Sequence, residues 1–402
     1  MTGGSLLGVV VLAVVVIAGL GFGTGTGAGH RSGSSDPAAP ASGGGGSAGG
    51  GAKPAPSSTT TSSTTTLPPK PITVASVTPT AGTTGVTGTT AITVKFSEPV
   101  ASSTPMPTIS PKVQGTWTRK DPTTLSFTPA GAFLPDAKVT VTVPGGSGGI
   151  LASDGAKLAQ PVVDHFQVGH GSVLRMEELL SLLQYSPLSW APKGQPLSPT
   201  DMAAQRKALF QVPVGTFAWR NAGWPASLTS LWHPTTYNVM AQGLVMSFQA
   251  DQRQIVDGKV DARMWPILID AWAHHQVNTG GYNYGYTSLK TQHFTVWHDG
   301  KVVFDSPANT GIPQSPTQPG TWPVFAKYPS TTMSGTNPNG SHYNDAGVPW
   351  VSYFHGGDAV HGFKRSSYGT PQSLGCVELP IAKAQQVYPF LAYGTLITVG
   401  TT

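Results

Sequence analysis

The sequence predicts a multidomain, mainly β chain in which two β units flank a short, mainly α unit. Three observations lead there. Gly (50) and Pro (36) supply roughly a fifth of the 402 residues, well above globular usage, so one compact domain throughout is excluded. Short stretches of alternating apolar residues, ITVASV, AITVKF, TLSFTP and KVTVTV, recur between Gly, Pro, Asp and Thr turns, the spacing of a β-sandwich. Apolar residues then switch to helical spacing in the middle of the chain and return to alternation towards its end.

The N-terminus carries an apolar run, Leu6 to Phe22, of 17 residues. That length is the lower limit for a spanning helix and also fits a signal-peptide core. Both readings of residues 1–22, a membrane anchor or a cleaved signal, imply an exported, extracytoplasmic protein. Residues 23–70 follow as a Gly/Ser/Thr/Pro tract that cannot bury a core and reads as a disordered tether. Charge is sparse, 23 basic against 18 acidic residues for a net +5, and forms no runs. No nucleic-acid partner is expected from it. The single cysteine, Cys376, excludes an intramolecular disulfide and a four-cysteine zinc site.

Residues 71–169 hold the alternating stretches and resemble a bacterial Ig-like β-sandwich, expected to act as a spacer. In residues 172–277, Met176, Leu179, Leu180 and Leu183 lie at helical spacing, and VMAQGLVMSFQADQRQIVDGKVDARMWPILIDAW reads as helix, Asp-Gly turn, helix. Phe248, Gln249, Asp257, Gly258 and Trp265 resemble the small helical peptidoglycan-binding domain, which implies a glycan contact. Ala191 to Pro225, with its own strand TFAWR, reads as an insertion into that pattern. Trp265 and Trp272 fall on the apolar face and read as core. Residues 290–400 open on a hairpin, HFTVWH and KVVFDS joined across Asp299-Gly300, and close on a helix, IAKAQQVYPFL, and a strand, TLITVG.

The chemistry concentrates in HGFKRSSYGTPQSLGCVELP, which places His361, Gly362, Ser373, Leu374, Gly375 and Cys376 in one window. A free thiol is only a few per cent ionised at neutral pH, so an attacking cysteine needs a base or a lowered pKa. His361 supplies a base if the intervening loop folds back. Gly375 permits close backbone approach to a substrate, and Ser373 is placed either to bond substrate or to hold the loop. An isolated cysteine is more often a small buried residue, but a lone exported thiol is an oxidation liability that packing does not require.

Residues 292–399 resemble the L,D-transpeptidase catalytic domain of the YkuD type. His361-Gly362, Gly369, Ser373-Leu374-Gly375-Cys376-Val377 and Leu379 follow its signature in order, and Thr310-Gly311, Thr317 and Gly320 match its upstream stretch. The resemblance implies a mainly β catalytic domain and a cysteine acyltransferase acting on peptidoglycan stem peptides, with Cys376 as nucleophile, His361 as base and the Gly362 carbonyl orienting the imidazole. It implies a thioester resolved by a second stem, giving a 3→3 cross-link, or by water. Leu374 stands where the family has a second histidine, and Glu378 where it has Arg or Asn. Trp350 and Tyr353 are candidates for the donor groove. His355, Asp358 and His342 form no helix-aligned metal set, and no metal or cofactor is expected. A catalytically impaired wall-binding scaffold and a general cysteine peptidase or amidase are the alternative readings.

Overall fold

The structure, a computed structural model, describes residues 70–402; the apolar run and all but the last residue of the tether lie outside the described residues. Seven strands build the first unit: β1 (Val74–Thr78), β2 (Ile92–Phe96), β3 (Thr108–Ser110), β4 (Gly115–Asp121), β5 (Thr124–Pro129), β6 (Lys138–Val143) and β7 (Val162–Gln167). They form two sheets, ordered β1-β2-β5-β4 and β3-β6-β7. Period-2 alternation does what the sequence implies, since Val139, Val141 and Val143 of β6 point inwards between exposed or half-exposed neighbours. Phe96, Phe127, Phe133 and Phe166 fill the space between the sheets.

The middle of the chain forms α1 (Val173–Leu182), β8 (Leu188–Pro192), α2 (Met202–Ala208), β9 (Gly215–Trp219), α3 (Ala226–Thr229), α4 (Val239–Asp251) and α5 (Met264–Ala273). Side-chain oxygens cap two of the helices that build its core. Ser172 accepts from Arg175 N at 3.2 Å at the start of α1, and Asn238 accepts from the amides of Met240 and Ala241 at the start of α4. The expected strand TFAWR is β9, paired with β8.

This helical stretch does not close on a core of its own. Its buried cluster of Leu179, Leu183, Leu244, Phe248, Trp265 and Leu268 runs on into Tyr282, Tyr284 and Leu396 of the following β unit. Gly243 of α4 lies so close that an added Cβ would sit 2.6 Å from Gly394 O, and Ser247 Oγ donates to Tyr393 O at 2.9 Å. The expectation of a separate small domain at 172–277 therefore gives way to helices packed directly on the next sheet.

That unit comprises β10 (Asn283–Ser288), β11 (His293–His298), β12 (Lys301–Pro307), β13 (Gly320–Pro323), β14 (Ala326–Thr336), β15 (His342–His355), β16 (Asp358–Gly362), β17 (Val377–Leu379), α6 (Ile381–Val387) and β18 (Leu396–Gly400). One sheet runs β12-β11-β10-β18-β13, the other β14-β15-β16-β17. The Asp299-Gly300 hairpin forms as expected, with both residues at positive φ. The unit begins at β10, seven residues before the expected 290. NYGYTS lacks apolar alternation because β10 is central and covered on both faces, with Gly285 leaving room for Phe294 and Ile397.

Candidate active site

Two strands and two loops bring the motif residues together. β16 and β17 pair in parallel, with His361 opposite Glu378 and Val360 opposite Val377, which sets Cys376 just ahead of β17 beside the start of β16. Ahead of β16, the turn Gly356-Gly357 joins β15 to β16, and Cys376 Sγ donates to the Gly357 carbonyl at 3.8 Å. The long loop from β16 to β17 has therefore folded back, carrying the thiol to the edge of the strand that bears His361.

His361 is 3% exposed. Its Nδ1 faces the Gly362 carbonyl at 3.1 Å, so Nδ1 carries the proton and Nε2 is left as the acceptor. Burial pushes the imidazole below its ordinary pKa, against the opposing pull of the Gly362 carbonyl and the Glu378 carboxylate; a neutral ring at neutral pH follows. Cys376 is half-buried. Desolvation first, and then the carboxylates of Asp358 and Glu378, push its thiol up to about 12, with the Ala359 amide acting in the other direction. The edge that still meets solvent tempers that desolvation. The sulfur is a thiol at rest, and attack requires a base to take its proton as the bond forms.

The loop that holds Cys376 is braced from below. Ser373 is 1% exposed; its Oγ donates to Cys376 O at 2.6 Å and accepts from Gly375 N at 3.2 Å. Of the two roles open to Ser373, holding the loop is the one its hydroxyl performs. Thr317 Oγ1 accepts from Gly311 N at 2.8 Å, and Ser315 Oγ donates to the Leu374 carbonyl at 3.0 Å. Leu374 is itself half-exposed. Gly375 adopts φ +121°, where an added Cβ would lie 2.3 Å from Asp358 Oδ1, so glycine is required there on two counts.

Tyr353 lies with Cys376 in a small cluster completed by Val348, Val351, Ala359, Met333 and Phe363, and its ring stacks near Phe325 and Tyr328. Trp350, three residues earlier and on the opposite face of β15, packs against Tyr388 at 5.5 Å and joins the core behind the sheet. It is not part of the thiol's surroundings, and period-2 alternation is the reason. His342 sits at the far end of the β14–β15 hairpin, bonded to Thr336. Among the described residues, no three His, Cys, Asp or Glu side chains converge to hold a metal.

Several contributors were not evident beforehand. Glu378, 4% exposed, is gripped by Arg365 Nε and Nη2 at 2.7 and 2.6 Å, so its carboxylate is neutralised by a residue of the His361-to-Cys376 loop. Asn309, fully buried, exchanges both backbone bonds with Glu378, and its side-chain carbonyl accepts from Gly369 N at 2.9 Å. Gln292 accepts from Thr310 N at 3.0 Å. Only the proximity of NTG to the matched Thr310-Gly311 hinted at Asn309, and charge alternation gave no signal for Arg365. The peptidoglycan-binding-like residues turn inwards. Gln249 bonds Asp257, Gly258 and Lys259 around a turn, and Trp265 is 1% exposed, which leaves these two side chains no face for a saccharide.

Residues 283–399 match the family model of the L,D-transpeptidase catalytic domain, and residues 68–168 that of a bacterial Ig-like domain. The chain thus carries a YkuD-type catalytic domain of the cysteine-dependent class, preceded by an Ig-like domain. Neither match covers the helical stretch between them. Among solved structures, the chain is similar to an L,D-transpeptidase from Mycobacterium smegmatis, at 17% identity and TM-score 0.28 over 82% of this chain and 100% of the other. It is similar to the catalytic domain of an E. faecium L,D-transpeptidase, at 25% identity and TM-score 0.28 over 31% and 100%. A third is L,D-transpeptidase 3 from Mycobacterium tuberculosis bearing a faropenem-derived adduct, at 15% identity and TM-score 0.27 over 81% and 97%. No curated protein matches the chain.

Proposed function

We propose that the protein is an exported L,D-transpeptidase that joins peptidoglycan stem peptides by 3→3 cross-links through a thioester on Cys376. The observation that carries this reading is the oriented imidazole: Nδ1 of His361 is tied to the Gly362 carbonyl, leaving Nε2 free on the strand beside which the thiol is braced. His361 takes the thiol proton as sulfur attacks the carbonyl of the third residue of a tetrapeptide stem. It returns that proton to the departing D-alanine amine. Since Gly375 N–H is already bonded to Ser373 Oγ, the Cys376 amide is assigned to the developing oxyanion. A diamino-acid amine of a neighbouring stem then resolves the thioester.

Glu378 and Leu374 do not argue for a disabled scaffold. The Glu378 charge is matched by Arg365, and Leu374 contributes a backbone carbonyl to the loop brace. The N-terminal run and tract support export and tethering, and the Ig-like unit a spacer role. Incubation with a stem tetrapeptide should release D-alanine and give a cross-linked dimer by mass spectrometry. Cys376→Ala should abolish both, and His361→Ala should slow release by about 10²–10⁴-fold. Release that persists in Cys376→Ala would refute the proposal.

A further inference from the structure

Two carboxylates raise the Cys376 thiol, Asp358 and Glu378, and they are not equivalent. Glu378 is held bidentately by Arg365. Among the described residues no Lys or Arg pairs with Asp358; its partners are the Gln318 amide and His355, whose Nδ1 lies 3.5 Å from Oδ2. The two residues are cross-strand partners on either side of the Gly356-Gly357 turn, the turn whose Gly357 carbonyl accepts from Cys376 Sγ. A Cβ added to Gly375, the residue before the cysteine, would lie 2.3 Å from Asp358 Oδ1. His355 is stacked on Trp322 at 4.3 Å between ring centroids, yet its side chain is 38% exposed while that of Asp358 is 16% exposed. A largely buried carboxylate beside the turn that touches the thiol, joined to an imidazole that reaches solvent, is placed to receive a cation at the thioester and to pass a proton outwards.

We propose that Asp358, backed by His355, receives the acyl acceptor: it binds the acceptor as a primary ammonium and takes the proton that the nitrogen must lose before attack. This rests on the thioester reading above. The ammonium gives one proton to the Asp358–His355 pair, and the freed lone pair forms the C–N bond at the thioester carbonyl. The C–S bond then breaks, and the second nitrogen proton passes through His361 to the departing sulfur, restoring the thiol. The first proton leaves to solvent from the exposed imidazole of His355. The balance is one ammonium and one thioester in, one amide, one thiol and one proton out. Water, which brings no charge, has no comparable need of the carboxylate.

The test reads the acyl-enzyme once it has formed, so the rate of its formation does not enter. The full-length protein is acylated with a stem tetrapeptide, and Nα-acetyl-lysine is offered as the acceptor. The ratio of amide product to hydrolysed product is followed against acceptor concentration. Asp358→Asn should lower that ratio by about 10²-fold or more and raise the apparent KM for the amine, and His355→Gln should shift both in the same direction by less. Loss of packing alone would slow both branches together and leave the ratio where it was. An unchanged ratio in Asp358→Asn and His355→Gln acyl-enzymes overturns the proposal alone. Absence of any acyl-enzyme in the unmodified protein overturns the thioester reading, and this inference with it.

Discussion

Gly375 offers the sharpest separation of backbone strain from site geometry. Its φ of +121° and that of Gly369, +97°, are both ones that L side chains rarely adopt, so alanine at either position should cost about 1–3 kcal/mol of stability. The positions differ in what a methyl group would meet. At Gly369 the nearest heavy atom is Pro307 Cβ at 3.8 Å, an ordinary contact, whereas at Gly375 the Asp358 carboxylate lies at 2.3 Å. Restoring an ordinary contact there requires about 1 Å of retreat, and because Asp358 is largely buried and tied to His355, that retreat falls on the loop carrying Cys376. Displacement by about 1 Å at a reacting centre costs on the order of 10²-fold in rate. Both variants should therefore lose denaturant midpoint, Gly375→Ala at least as much as Gly369→Ala, while Gly375→Ala alone should lose about 10²-fold in acylation, followed by intact mass after exposure to a β-lactam. Acylation of Gly375→Ala within about threefold of the parent, or an equal loss in Gly369→Ala, would refute the reasoning.

Two further outcomes follow from buried charge. Glu177 is 1% exposed, its carboxylate bonded to Thr235 N at 3.4 Å, and burial raises its pKa from 4.5 to about 7. Because the folded-state value is raised, this group's stabilising contribution is full below pH 4.5 and is lost as pH rises towards 7, amounting to at most about 3 kcal/mol. Glu177→Gln should flatten that window and be more stable than the parent at pH 8; denaturation curves of the two that run parallel from pH 4 to 8 would contradict this. Glu378→Gln leaves the Arg365 guanidinium without its partner and should cost about 2–3 kcal/mol by urea denaturation, below the usual figure for a buried pair because Arg365 keeps 30% side-chain exposure. A cost under about 0.5 kcal/mol would show the pair to behave as a surface one.

Where local pattern decides structure, the sequence was readable. The alternation of KVTVTV, the Asp-Gly hairpin and the apolar spacing of MEELLSLL each specify an element without help from the rest of the chain. β10 and β14 escaped because a central strand and a long exposed hairpin strand both lack a one-sided apolar pattern. The packing of the helical stretch on the next sheet escaped for a related reason, since spacing identifies an apolar face but not what covers it. At the site, His361, Gly362 and Cys376 stood out in one window because a thiol, an imidazole and an orienting carbonyl are the groups an acyl transfer uses, and the structure brings that window together. The roles of Ser373 and Trp350 depended on which way a side chain points. The contacts of Asn309 and Arg365 span separations set by the sheet pairing, and no local motif encodes them.

The central claim is that Cys376, served by His361, attacks an acyl carbonyl. Exposure of the full-length protein to a carbapenem, followed by intact mass spectrometry and peptide mapping, addresses it most directly. A single adduct of the drug's mass on the peptide containing Cys376, absent in Cys376→Ala and strongly slowed in His361→Ala, is the expected result. A folded protein that takes up no adduct, or one that Cys376→Ala still forms, would contradict the account.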